Sequence, residues 1–163
     1  MPGDYNDMRN WLRRYLLDPL LALLRQGVSP QRLALCTAIG IVVGNIPILG
    51  VSTVLCTIIA LGFRLNLPAM QLVQGAMAPL QLLLIIPYVR LGEWLLGAPA
   101  QPLSIKASMA LLSQGAGHAV LVLWSAIVHA SLAFVLVAPV ATLLFYRLLI
   151  PVFERAASSV KRG

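Results

Sequence analysis

Residues 29–64 constrain the chain most: two apolar runs, 33–46 and 48–63, meet at Asn45-Ile46-Pro47-Ile48-Leu49-Gly50. As helices, these runs of about 14 and about 16 residues reach roughly 21 and 24 Å. A hydrocarbon core of roughly 30 Å takes about 20 apolar residues to cross, so neither run spans comfortably. The junction is too apolar for a water-exposed loop. Two half-helices that dip in and return to the same side, a re-entrant hairpin, meet both constraints. Two thin, tilted spans are the competing reading. Irregular backbone at membrane depth survives only inside protein or against a water-filled cavity. Pro47 lacks a donor, Gly50 permits positive φ and Asn45 can bond its own backbone, so the junction is a built-in turn. It is the first candidate for a working site.

Hydrophobic residues make up 60% of the 163 and charged residues 10%, against about 45–50% and about 25% in soluble domains. With a mean hydropathy of +0.88, the chain reads as one small integral membrane domain. Its net charge of +7 comes from Lys and Arg outside or at the ends of the apolar runs. That arrangement suits an anionic membrane surface, and aromatic-interleaved basic patches are absent, so membrane lipids and not nucleic acid are the expected partners. Cys36 and Cys56 sit in apolar segments without Cys-x-x-Cys spacing. They read as small buried apolar residues, neither a disulfide nor metal ligands.

Residues 1–28 form an N-terminal interfacial unit. Over 4–26, Met8, Trp11, Leu12, Tyr15, Leu16, Leu23 and Leu24 follow helical spacing, with Arg9, Asn10, Arg13, Arg14 and Arg25 largely opposite. Asp18-Pro19 divides this helix by its cap chemistry. A basic amphipathic helix with Trp and Tyr lies in the headgroup plane; a cytosolic helix packed on a partner is the alternative. Arginines interrupting the apolar run exclude a signal peptide. Gly27 then stops the helix, Ser29 caps the next and Pro30 opens its first turn. Arg32 is placed to snorkel to phosphate. Gly40-x-x-x-Gly44 offers a close approach, expected against the second arm. Ser52, Thr53 and Thr57 of that arm can serve carbonyls freed at the junction.

Arg64-Leu65-Asn66-Leu67-Pro68 returns the chain to the surface, with Asn66 capping the next helix. Residues 69–89 are long enough to span, with a kink expected at Pro79. Gln71, Gln74, Ala78, Gln81 and Tyr88 fall near one helical face. That stripe either lines a polar path facing the junction or holds the bundle together through interhelical hydrogen bonds. Residues 90–97 have interface character, with Trp94 as the anchor. Residues 98–117 are the most polar internal stretch, and Ser104 could cap a short helix there. Residues 118–153 hold a second span on which His118, Ser125 and His129 share a face. His129 reads either as a proton relay or as a satisfied interhelical histidine. Residues 29–153 make a single membrane domain, and 154–163 a basic, solvated tail.

Several stretches occur in one order: Ser29-Pro30 before a small-residue helix, Gly40-x-x-x-Gly44-x-x-Pro47, Phe63-Arg64-x-Asn66-Leu67-Pro68, Pro79 mid-span, and Tyr88-x-Arg90-x-Gly92-x-Trp94-Leu95-Leu96-Gly97. In that order, from Leu23 to the end, the chain resembles the bacterial membrane family called domain of unknown function 2062. The family often has Asn-Pro-x-Thr where this chain has Ala78-Pro79-Leu80-Gln81, which leaves Gln81 as the substitute. The resemblance implies a bacterial cytoplasmic-membrane protein, sometimes joined to glycosyltransferase-type domains. It brings no reaction and no catalytic residues.

Asp4, Asp7, Asp18, Glu93 and Glu154 are the only acidic residues. All lie at the edges of apolar segments, so a paired-carboxylate site is not expected. The histidines and cysteines lack metal spacing, and no Gly-rich phosphate loop or nucleophile elbow is present. No enzyme activity, catalytic residue, metal or cofactor is expected. The expected fold is an all-α membrane protein: a re-entrant or broken helical hairpin plus two main transmembrane helices and an N-terminal amphipathic interfacial helix. The spread of Arg and Lys makes it multi-pass in the cytoplasmic membrane with both termini cytoplasmic. The expected role is handling or transport of a small or lipidic anionic envelope substrate, since broken helices in transporters aim half-helix ends at bound ions. Asn45, Pro47, Gly50, Arg64, Asn66, Gln74, Pro79 and Gln81 are the expected substrate-binding residues. The alternative role is a non-transporting accessory that docks an envelope enzyme, or a second copy of itself, through the N-terminal helix and small-residue faces.

Overall fold

A computed structural model describes residues 18–48, 50–99 and 116–160. Among these the chain is all-helical: α1 Asp18–Arg25, α2 Pro30–Gly44, α3 Val51–Gly62, α4 Leu67–Ala76, α5 Ala78–Leu96 and α6 Ala116–Val160. Residues 4–17 of the amphipathic helix, the Ser104 cap and the side chain of His118 lie outside the described residues.

Two loops share one construction. After α1, Gly27 takes φ 89, its N–H bonds the Leu24 carbonyl at 3.1 Å, and the Val28 N–H bonds the Leu23 carbonyl at 3.1 Å. These paired bonds close a helix end in a Schellman turn. Ser29 then accepts from the Arg32 N–H at 3.4 Å, with Pro30 first in α2. After α3, Arg64 takes the left-handed place at φ 51 and the Leu65 N–H bonds the Ala60 carbonyl at 2.8 Å. Asn66 caps α4 by accepting from the Ala69 N–H at 2.9 Å. A left-handed residue, an apolar residue and a cap recur in both.

These loops meet. Ser29 and Arg32 line the same cavity as Arg64 and Asn66, and the Asn66 N–H reaches Cys36 Sγ at 3.4 Å. The arms α2 and α3 therefore return to one end of the bundle, and residues 45–50 form the hairpin tip. From α2's 15 residues, the tip stands roughly 22 Å from the open end. α4 climbs beside α2, the chain turns at Met77, and α5 carries on beyond the tip. α6 runs back past both, with 45 residues and roughly 68 Å of helix. The Gln31 side chain donates to Glu154 at 2.9 Å, so Arg155 joins Arg25, Arg32 and Arg64 near the open end.

Several sequence expectations are corrected. The segment 69–89 is not one kinked span: the helix opens at Met77, and α5 begins afresh with Pro79 in its first turn. A missing donor there removes only an N–H that a helix start leaves free. α5 then runs through Pro87 to Leu96, so 90–96 is the last part of the same helix. α6 likewise continues through Pro151 to Val160, so the tail is helical up to that residue. Gly40 and Gly44 face α4, not the second arm. A Cβ at Gly40 would stand 3.0 Å from the Met70 carbonyl oxygen, and one at Gly44 would stand 2.9 Å from Met77 Cβ. Small residues signal a close approach without naming the neighbour.

The main core gathers Leu20, Leu24, Leu33, Met70, Val73 and Phe153 with the free cysteines Cys36 and Cys56. Beyond the tip, α5 and α6 pack on each other through Val89, Ala126 and Ala130. Two helices, Ala78–Leu96 and the Trp124–Ser159 part of α6, are long and apolar enough to cross a membrane. Only 22% and 17% of their most apolar stretches are buried inside the protein, whereas a helix apolar all round in a water-soluble protein is buried in its core.

Candidate functional site

The eight expected site residues separate into groups at opposite ends of the hairpin. At the tip, the Asn45 N–H bonds the Val42 carbonyl at 3.0 Å and the Ile46 N–H bonds the Val43 carbonyl at 3.2 Å. Asn45 Nδ2 donates to the Ile41 carbonyl at 2.7 Å, which fixes the orientation of the amide because a carbonyl only accepts. Its Oδ1 is buried without a partner. Gln81 Nε2 reaches across from α5 and donates to the Ile46 carbonyl at 2.7 Å. Pro47 is buried and Gly50 is exposed, with φ 84 at the start of α3. Gln74 Nε2 donates to Ser52 Oγ at 3.0 Å. Pro79 is exposed.

The glutamine stripe therefore faces the hairpin, and its amides are committed to protein groups. Gln71 Nε2 contacts the Thr53 carbonyl and Thr57 Oγ1, each at 3.1 Å. This revises the expectation for Ser52 and Thr57: they receive α4's glutamines, while the junction's Ile46 carbonyl is served by Gln81. Thr57 donates to the Thr53 carbonyl at 2.8 Å. Tyr88 meets Phe134 edge-on, with centroids 5.8 Å apart.

At the open end, a cavity of about 590 Å³ is lined by Gln26, Ser29, Arg32, Arg64, Leu65 and Asn66, with Gly27 and Val28 in its wall. Among the described residues, no carboxylate lines it. Both arginines are exposed, and the N-termini of α2 and α4 open at the same place. Pro30 and Pro68 carry no N–H, and Ser29 and Asn66 take those of Arg32 and Ala69, but helix starts still carry partial positive charge, so four features of one sign converge there. Glu154 is the nearby acid, and its carboxylate takes the Gln31 amide. The arrangement suits an anion with several acceptor oxygens. Spacing alone gives Ser29 a capping role and Arg32 a snorkelling one; it does not reveal that they face Arg64 and Asn66. The repeated loop construction was the available signal.

The far end of α5 holds a second polar group. Glu93 is buried and pairs with Arg90 at 2.8 Å; the sequence places it at the edge of an apolar segment. The Gly92 backbone lies directly on the His129 carbonyl. His129 Nδ1 sits 2.6 Å from the Ser125 carbonyl and 3.3 Å from Ser125 Oγ.

No curated protein and no solved structure matches this chain. Residues 10–160 match the family described as "uncharacterized protein conserved in bacteria (DUF2062)". That match takes in every helix described above, and the chain belongs to this bacterial family, domain of unknown function 2062.

Proposed function

We propose that this is a multi-pass protein of the bacterial cytoplasmic membrane that handles an anionic, phosphate-bearing substrate, small or lipidic, at the Arg32–Arg64 cavity. The carrying observation is the cavity itself, with two guanidinium groups, two helix starts and, among the described residues, no lining carboxylate. The hairpin is re-entrant in this reading: its open end lies at the cytoplasmic surface with both termini, where Arg25, Arg32, Arg64 and Arg155 satisfy the positive-inside bias. Its tip, roughly 22 Å away, lies inside a hydrocarbon core of roughly 30 Å.

Purified full-length protein is expected to retain glycerol 3-phosphate or phosphatidylglycerol. Replacing both arginines (Arg32→Gln with Arg64→Gln) should weaken that retention by about tenfold or more, since charge-assisted bonds contribute about 1.5–3 kcal/mol each. Equal retention of both ligands by the doubly substituted protein removes the cavity from consideration.

The depth of the tip is measured separately. A nitroxide on Val51→Cys, in a Cys36→Ala, Cys56→Ala background, should be relaxed by oxygen and shielded from a water-soluble nickel chelate in vesicles. Strong relaxation by the chelate would mean that the tip is open to water, through a cavity or across two thin spans, and would overturn a tip shielded in hydrocarbon.

A further inference from the structure

We infer that the occupant of the open-end cavity is a lipid, with its phosphate between Arg32 and Arg64 and an acyl chain along the outer face of α3. This rests on the anion-binding reading above and narrows it to one substrate class. The two faces of α3 differ sharply. Ser52, Cys56 and Ala60 are buried inward, whereas Val54, Ile58 and Leu61 follow at helical spacing and are 59%, 61% and 70% exposed. The stripe ends at Leu61 and Phe63, and the next residue is Arg64 of the cavity wall.

An apolar outer face is ordinary for a helix in lipid, so the stripe alone identifies nothing. Its succession along the chain by Arg64, a wall residue of the cationic cavity, does. A ligand that used both would carry an anionic head and an apolar chain, placed end to end in that order. Dimensions agree: α3 has 12 residues, roughly 18 Å, against the roughly 15 Å depth of one leaflet, half of a 30 Å core. Inorganic phosphate or a sugar phosphate would engage the arginines and leave the stripe unused. A chain lying on Val54, Ile58 and Leu61 adds packing contact along the helix that a soluble anion cannot make.

Native mass spectrometry of the full-length protein in non-ionic detergent, with added phosphatidylglycerol or glycerol 3-phosphate, separates these cases. Wild-type protein should retain the lipid at least about tenfold more strongly than the soluble headgroup. The paired change Val54→Ser with Ile58→Ser should reduce lipid retention while leaving binding of glycerol 3-phosphate unchanged. Both positions are exposed, and thermal unfolding of each variant confirms that the fold is kept. Arg32→Lys with Arg64→Lys should retain more lipid than the double Gln variant, because charge is kept while the bidentate fork is lost. Comparable affinity for the two ligands, with lipid retention unmoved by the serine pair, overturns the lipid assignment and leaves an anion site standing. Retention of both ligands unmoved by the Gln pair overturns the anion site itself.

Discussion

Gly92→Ala is expected to melt well below the wild type. An ideal Cβ at Gly92 would be built into the His129 carbonyl, with His129 Cα 2.9 Å away. Both sides of this contact are helix backbone, so neither can yield as the end of a flexible side chain would. Overpacking a filled site costs about 1–3 kcal/mol, occasionally more, and a backbone clash belongs at the upper end. At about 3 kcal/mol, a domain of this size loses roughly 6–12 °C in Tm. The location raises the consequence, because α5 is held mainly by α6 and the crossing at Gly92 sits on Val89, Ala126 and Ala130. Gly75→Ala is the control. Nothing lies within 4 Å of a Cβ there, and alanine is favoured over glycine in a helix by up to about 1 kcal/mol. Thermal unfolding of detergent-solubilised protein should place Gly75→Ala at or above the wild type and Gly92→Ala well below it. A Gly92→Ala protein that melts with the wild type would mean that the two helices do not cross this closely.

Local chemistry made part of this fold readable. Gly27, Ser29 and Pro30, then Asn66 and Pro68, each act within a few residues of themselves, and the structure uses them as stop, cap and first turn. The tip was equally local, since Asn45, Pro47 and Gly50 carry their own turn preferences. Choices decided between distant segments were not readable. Gly40 and Gly44 could serve any neighbour, and α4 is the helix that takes them. Pro79 suits a kink or a new helix start by the same missing donor; the tip, which Gln81 reaches, decides for the start. Glu93 in sequence stands beside Arg90 and Trp94 at the end of an apolar run, with no sign that its carboxylate would be buried. The cavity escaped for the same reason. Its residues come from two loops more than thirty positions apart, brought together only once α2 and α3 fold back.

The tip decides the remaining question about the glutamines. Replacing Gln81 by leucine should lower the amount of folded protein, and replacing Gln74 by leucine should lower it less. Gln81 Nε2 is the side-chain donor on the Ile46 carbonyl, and Ile46 is buried where the helical bonding of α2 has ended. Leucine leaves that carbonyl buried and unpaired, at a cost of about 1–3 kcal/mol. Gln74 donates to a serine hydroxyl, Ser52 Oγ, and a hydroxyl that loses this donor keeps its own proton to donate to a helix carbonyl; interhelical bonds of this kind average about 0.6 kcal/mol in membranes. The pair Gln74→Leu with Gln81→Leu should therefore reduce abundance and any ligand retention in step. If the glutamines instead lined a substrate path, abundance would hold near the wild type while retention fell. Asn45→Ala adds a sharper reading. It removes both the buried Oδ1 that has no partner and the Nδ2 bond to the Ile41 carbonyl. The Ile41 carbonyl sits on the last turn of α2 and loses one side-chain donor, while the unpaired acceptor disappears, so the two changes offset and the net loss should be smaller than for Gln81→Leu. A larger loss for Asn45→Ala than for Gln81→Leu would mean that Oδ1 holds a group of its own at the tip, and the tip would then be a binding site in addition to the open end.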